Sequence, residues 1–123
     1  MIEATTDILN KDVKEKCTAM GIDFYALEKS KRNTIAFISY REKKKVREFE
    51  VTFLPAGIFR ISTRFLGYCN AIQDIGYELT NGIDPDGRRK MFSIQVNNIG
   101  GLNEIIMIML DKGYSPNPSK LLV

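Results

Sequence analysis

The sequence predicts an α+β domain in which helices pack on a mainly antiparallel sheet, in the order αββββαβα. Three observations lead to this fold class. Residues 46–64 alternate apolar and polar side chains on both sides of a turn, as a β-hairpin does. Residues 6–20 and 72–79 instead repeat their apolar side chains every three or four positions, as amphipathic helices do. The predicted sheet is a four-strand meander to which a fifth strand is added later in the chain.

The central hairpin is regular enough for its register to be predicted. Pro55-Ala56-Gly57 suits a three-residue loop made of a type I turn and one left-handed residue, which we assign to Gly57. The resulting register gathers the apolar side chains on one face, whereas a shift of one residue would mix the two faces. The expected cross-strand pairs are Phe53 with Phe59, Val51 with Ile61, and Glu48 with Arg64.

The other elements follow from periodicity and capping signals. Thr6 is expected to begin a helix over residues 6–20, and Asn70 with Gln73 resembles the capping box of a second helix that ends at Gly82. Residues 65–68 fit either the end of the fourth strand or the start of this helix. Residues 105–110 are continuously apolar and fit either a helix or a buried strand; the length of the segment favours a helix. The remaining predicted elements are strands at residues 22–28, 33–40 and 92–96, a turn at 84–87 and a helix at 102–112.

Length and composition set the expected organisation. With 123 residues, 44% of them apolar, the chain is expected to form one domain over residues 1–114. Residues 115–123 are predicted to be a tail, whose apolar end at 121–123 could dock on the domain or on a partner. No apolar run approaches the roughly 20 residues that span a bilayer, and the N-terminus lacks the pattern of a signal peptide. We therefore expect a cytoplasmic protein without membrane contact.

The residue types limit the chemistry. The absence of histidine removes the common general base, Ser-His and Cys-His pairs, and histidine metal sites. Cys17 and Cys69 lack zinc-ligand spacing, so we expect two reduced, buried thiols. The acids at 84–87 do not match a calcium loop, and the glycine pair at 100–101 lacks a phosphate-binding pattern. Carboxylate catalysis stays open, but no convergent acids can be identified. We expect no enzyme, cofactor or metal.

The basic residues are the strongest functional candidates. In a meander, the turn at residues 41–45 should lie at the same edge of the sheet as the end of the fourth strand. The expected partner-binding residues are Arg41, Lys43, Lys44, Lys45, Arg47, Arg60 and Arg64. Such a cluster suits an acidic protein surface or nucleic-acid phosphates, with Tyr40 and Tyr68 as candidate stacking residues. It could also be only a solvated tip that keeps a sheet edge soluble.

The charge balance favours one of these functions. A net charge of +3, from 18 bases and 15 acids, is only mildly basic. This mixed charge favours a protein-binding regulator, inhibitor or adaptor. A nucleic-acid-binding protein that contacts phosphates through residues 41–47 is the alternative. The identity of the partner and the oligomeric state are not readable from these residues.

Overall fold

The computed structural model describes residues 5–27, 33–83 and 90–115. In these residues the chain forms six strands and three α-helices in the order αββββαββα. The helices are α1 (Lys11–Ala19), α2 (Leu66–Asp74) and α3 (Ile99–Ile108). The strands are β1 (Asp23–Leu27), β2 (Thr34–Arg41), β3 (Lys44–Leu54), β4 (Ile58–Thr63), β5 (Thr80–Ile83) and β6 (Lys90–Val96). A 3₁₀ turn (Thr6–Ile8) precedes α1, and a π-helical turn (Met109–Gly113) continues α3.

The strands form one antiparallel sheet in the spatial order β1-β2-β3-β4-β6-β5. The first four strands are the expected meander, so the predicted fold class is confirmed. The core lies on one face of this sheet, called the helix face, where Phe37 and Ile61 belong to the same cluster as buried side chains of all three helices. The other face, called the open face, contributes nothing to that cluster. One row across the open face consists of Tyr25, which is exposed, and of Ala36, Glu50, Ser62 and Ser93, which are buried.

The central hairpin has the predicted register over its apolar part. Phe53 pairs with Phe59, and Val51 pairs with Ile61. The two phenylalanine rings meet edge to face, with 5.3 Å between their centroids, an arrangement that aromatic quadrupoles favour. Period-two alternation therefore determined which side chains reach the core.

The predicted register also holds for the polar pairs Thr52–Arg60 and Glu50–Ser62, but the strands pair no further, and the predicted pairing of Glu48 with Arg64 is wrong. A β-bulge interrupts the pairing of β2 with β3, because Phe37 pairs with Phe49 whereas Ile38 pairs with Arg47. Glu48 is the extra residue of this bulge. A bulge re-aims side chains, and here the Glu48 carboxylate points to the helix face, where it contacts α2.

The loop of this hairpin contains the three predicted residues, but two of them, and not one, adopt a left-handed conformation. Gly57 has a φ of 71°, as expected, but Ala56 also has a positive φ of 65°. A left-handed conformation costs an L-residue roughly 1–2 kcal/mol, because its Cβ approaches the following carbonyl. The loop is therefore strained at Ala56 and relaxed at Gly57.

These two positions should respond in opposite directions to exchange of alanine and glycine. We expect Gly57→Ala to lower the free energy of unfolding by about 1 kcal/mol, and Ala56→Gly to leave it unchanged or raise it by up to about 1 kcal/mol. Urea unfolding followed by circular dichroism measures both. A stabilising Gly57→Ala substitution would contradict the observed loop conformation.

Of the two alternatives for residues 65–68, the start of a helix is the observed one, because α2 begins at Leu66. Asn70 therefore lies inside the helix, and the predicted capping box with Gln73 is wrong. The helix also ends early, where Gly76 adopts a φ of 97°. Residues 80–83, predicted as the end of this helix, form β5 instead. Pairing with β6 stabilises them as a strand, supported by the contact of 3.1 Å between the hydroxyls of Thr80 and Ser93.

The N-terminal helix is shorter than predicted, and α3 explains why. Asn10, not Thr6, caps α1 by accepting a hydrogen bond from the Val13 amide at 2.9 Å. Asn103 on α3 fixes this cap: its Oδ1 accepts from the Asn10 amide at 2.8 Å, and its Nδ2 donates to the Ile8 carbonyl at 2.8 Å. The helical alternative for residues 102–112 is thus the observed one, through α3 and its π-helical turn.

Some predictions concern parts of the chain that the structure does not describe. The turn at residues 84–87 and the apolar end at 121–123 lie outside the described residues. The division into a domain over 1–114 and a tail over 115–123 also stays a prediction. Of the described helices, none is both long and apolar enough to cross a membrane.

Cys17 and Cys69 are free and buried, as predicted. Burial raises the pKa of the Cys17 thiol to about 12 and that of the Cys69 thiol to about 11. Because the thiolate is the reactive form, a chromogenic thiol reagent at neutral pH should label the native protein slowly and the denatured protein quickly. Fast stoichiometric labelling of the native protein would show that one thiol is accessible.

The same pKa shifts predict a loss of stability in alkali. An unfolded thiol has the ordinary pKa of 9.0, so above this pH the unfolded chain binds fewer protons than the folded one. The free energy of unfolding should then fall as the pH rises from 9 towards 11. Replacing both cysteines by alanine should remove this part of the alkaline dependence, which urea titrations at several pH values would measure.

Candidate functional site

The β2–β3 hairpin extends beyond its neighbours and forms an arm. β1 accompanies β2 only as far as Ile38, and β4 pairs with β3 only from Glu50 onwards. Residues 39–47, called the arm, therefore have no described strand beside them on either outer side. An arm of this kind presents its tip away from the sheet.

The tip of the arm is a two-residue turn. Arg41 pairs with Lys44, and the two residues between them, Glu42 and Lys43, have φ values of 50° and 64°. Positive φ at both central positions is the type I′ geometry, which matches the twist of the strands but favours Asn-Gly. Lys43, Lys44 and Lys45 are all exposed at this tip, and no ion pair joins them to another described residue.

The base of the arm is held by a buried carboxylate. The Glu48 side chain is 0% exposed. It accepts hydrogen bonds from the Ser39 hydroxyl at 2.6 Å, from the Tyr68 hydroxyl at 2.5 Å, and from Arg41 Nε and Nη2 at 2.9 and 2.7 Å. A bidentate pair between arginine and carboxylate fixes geometry as well as charge. Glu48 thus ties both strands of the arm to α2.

Arg41 extends this network to the end of the described chain. Its Nη1 donates to the Ser115 carbonyl at 2.5 Å, and its guanidinium carbon lies 4.6 Å from the centroid of the Tyr114 ring. The hydrogen bonds to Glu48 raise the pKa of the Arg41 guanidinium above its usual value. Burial, with the nearby Glu48 charge, raises the pKa of the Tyr68 phenol, so it stays a donor.

The structure divides the seven predicted cations into three sets. Lys43, Lys44 and Lys45 form the exposed tip. Arg41 belongs to the buried network, and its side chain is only 14% exposed. Arg47 and Arg60 lie on the open face, where Arg47 Nη1 donates to Glu50 at 2.9 Å, and partly buried Arg64 follows the end of β4. Of the predicted cluster, Arg41 is turned into the buried network, and the three lysines lie on the arm beyond the end of β4.

Two tyrosines lie on the open face next to these cations. Tyr40 is 60% exposed and pairs with Lys45, and Tyr25 is 46% exposed on β1. Tyr68, the other predicted stacking residue, is only 1% exposed and is occupied by Glu48. Sequence reasoning missed Tyr25, although its place opposite Ala36 follows from the alternation of β1 and β2. The site is therefore a cationic tip beside a face with two exposed aromatic rings.

In the part of the chain that is described, no group of three or more carboxylates or thiols is placed to hold a metal ion. The buried Glu48 carboxylate accepts its hydrogen bonds within the network. The arrangement can bind by charge and by ring contacts.

No protein-family model matches the chain, and no curated protein matches it significantly. A functional interpretation therefore depends on the arm, the open face and the network between them.

Proposed function

We propose that this chain is a small non-enzymatic binding module, a regulator, inhibitor or adaptor, that holds an acidic surface of a partner protein with its arm. The observation that carries this proposal is the tip itself. Lys43, Lys44 and Lys45 are exposed together at the end of a hairpin, and the Arg41–Glu48 pair fixes the base of that hairpin. A fixed base lowers the entropy that would be lost when the tip is immobilised in a complex.

The charges around the tip support a protein partner. Glu42 lies within the turn, Glu50 pairs with Arg47, and Asp23 lies on the open face beside Tyr25. A surface that mixes positive and negative groups suits a patterned protein surface, where complementary charges set orientation and association rate. A cytoplasmic location is part of the proposal, because two free thiols are typical of a reducing compartment.

One observation favours a second candidate, a single-stranded nucleic acid. Tyr25 and Tyr40 are exposed on the open face, and Lys45 and Arg47 are on the same face. Proteins that bind single strands combine a cationic surface with aromatic rings on which bases stack. In this alternative the rings carry the affinity, whereas in the protein-binding proposal the lysines carry it.

Reversing the charges of the tip should weaken binding without unfolding the protein. We expect Lys43→Glu/Lys44→Glu/Lys45→Glu to lower the affinity for a fluorescent peptide rich in aspartate and glutamate by at least about tenfold, or 1.4 kcal/mol. The variant should keep its stability, since exposed surface changes usually shift it by under about 0.5 kcal/mol each. Fluorescence anisotropy at low and moderate salt measures the affinity, and urea unfolding checks the fold.

The matched control reverses three lysines elsewhere. Lys11→Glu/Lys14→Glu/Lys112→Glu changes the net charge equally but leaves the arm intact, so it should bind the peptide nearly as well as the original chain. Equal losses in both triple variants would mean that only net charge matters, and the proposal would be wrong.

The nucleic-acid alternative has its own variant. Tyr25→Ala/Tyr40→Ala should weaken the binding of a labelled single-stranded oligonucleotide by about 1–3 kcal/mol per stacked base. The same variant should bind the acidic peptide as tightly as the original chain. Tight oligonucleotide binding that depends on these rings and falls steeply with salt would replace the protein-binding proposal.

A further inference from the structure

A cavity lies at the opposite end of the sheet from the arm. It has a volume of about 260 Å³, and its walls come from the start of β4, the end of β6 and the start of α3. Its apolar lining residues are Ile58 and Val96, and its polar lining residues include Tyr77, Gln95 and Asn97. None of these residues belongs to the arm or to the buried network at its base.

The sheet itself creates the cavity. β5 begins at Thr80, which pairs with Ser93 of β6. Residues 95–97, at the end of β6 and just after it, therefore have no described strand on that side. After α2, Gly76 turns the chain with a φ of 97°, and Tyr77 follows directly. The Tyr77 ring, 41% exposed, therefore lines the gap beside the unpaired end of β6.

None of the described residues that line the cavity carries a charge. Asn98 spends its Oδ1 on the Gly101 amide at 2.6 Å and donates from Nδ2 to Asn97 Oδ1 at 3.1 Å, so this end of α3 is already capped. In contrast, the Tyr77 hydroxyl, the Gln95 amide and the Asn97 amino group make no hydrogen bond to another described side chain. The cavity thus offers neutral donors and acceptors beside an aromatic ring.

We propose that this cavity binds one neutral hydroxylated ring, the chemistry of a single glycosyl unit. An apolar ring face would lie on Tyr77 and Ile58, and hydroxyls would exchange hydrogen bonds with Gln95 and Asn97. The size agrees with a small ligand. Pockets for drug-sized ligands measure roughly 300–1,000 Å³, and this cavity lies just below that range. The site is independent of the proposed protein-binding function.

The test uses two small probes and protein NMR. Titration of the ¹⁵N-labelled chain with N-acetylglucosamine should shift the amide signals of residues 95–101 and Tyr77 saturably. Glucose 6-phosphate carries a charge of about −1.5 to −2 at neutral pH, and it should bind no more tightly than N-acetylglucosamine. Tighter binding of the phosphate, saturable shifts confined to other residues, or no saturable shift with the neutral sugar would each overturn the proposal.

Variants separate this site from the rest of the surface. Tyr77→Ala should weaken binding of the sugar at least about tenfold, and Tyr77→Phe should retain most of it. Tyr25→Ala, which removes a similarly exposed ring from the open face, should have no effect. The charge-reversed arm variant should also bind the sugar normally, so failure at either site is recognised separately. Unchanged binding by a folded Tyr77→Ala variant would show that the ring is not used.

Discussion

Replacing Glu48 by alanine is expected to destabilise the fold by about 3–5 kcal/mol, the cost of breaking a buried ion pair from one side. The substitution removes the carboxylate that accepts two hydrogen bonds from the Arg41 guanidinium, which is 14% exposed. It also leaves the hydroxyls of Ser39 and Tyr68 without their acceptor. Urea unfolding with linear extrapolation measures the loss.

The matched control lies two residues further along the same strand. Glu50 is also buried, with its side chain 9% exposed, but its partner Arg47 is 44% exposed. Because water can solvate the Arg47 guanidinium once the carboxylate is removed, Glu50→Ala should cost less than Glu48→Ala. Replacing both charges of the buried pair, with Arg41→Met/Glu48→Leu, should recover part of the loss because no charge stays unpaired. Equal effects of Glu48→Ala and Glu50→Ala would contradict a buried network.

The second large effect is expected where α2 meets the π-helical turn. A Cβ added to Gly67 would collide with the Gly113 carbonyl oxygen, and a Cβ added to Gly113 would lie 2.9 Å from the Cα of Tyr68. The two segments therefore pack glycine against glycine, with backbone as the obstacle. Overpacking of this kind costs about 1–3 kcal/mol and sometimes more, so Gly67→Ala should be clearly destabilising.

Gly100 is the appropriate comparison for Gly67, since both lie in the first turn of a helix. A Cβ on Gly100 would meet only Asn98 Oδ1, at an ordinary 3.5 Å. Gly100→Ala should be neutral or stabilising by up to about 1 kcal/mol, because alanine favours the helix. Thermal unfolding of both variants measures the contrast. A tolerated Gly67→Ala substitution would mean that the two segments are further apart than described.

The Gly67–Gly113 contact and Glu48 are linked through Tyr68. Its backbone lies against Gly113, and its hydroxyl donates to Glu48. Since its ring also packs edge to face on Phe49, with 5.2 Å between centroids, a shift of α2 would disturb the base of the arm. The close approach of α2 to the π-helical turn thus helps to hold the binding tip in place.

Local patterns in the sequence determined the fold class and much of the central hairpin. Phe53 and Phe59 face each other because alternation and a three-residue loop leave one register in which the apolar residues agree. The positive φ of Gly57 follows from the same local turn. The exposure of Lys43, Lys44 and Lys45 was predictable for a similar reason, as a short turn between two strands lies in solvent.

Only the tertiary structure decided the parts that depend on distant partners. Thr80–Ile83 is a strand because β6 lies beside it. The apolar repeat over residues 72–79 had instead favoured a helix that continued to Gly82. Arg41 is removed from the basic surface because a bulge turns Glu48 towards Tyr68, 20 residues away in the chain. Alternation cannot reveal a bulge, since one extra residue changes the face of every position before it. The physical reason is that a buried charge such as that of Glu48 must be paired inside the fold. Which groups lie close enough to pair with it depends on how the sheet and α2 pack together.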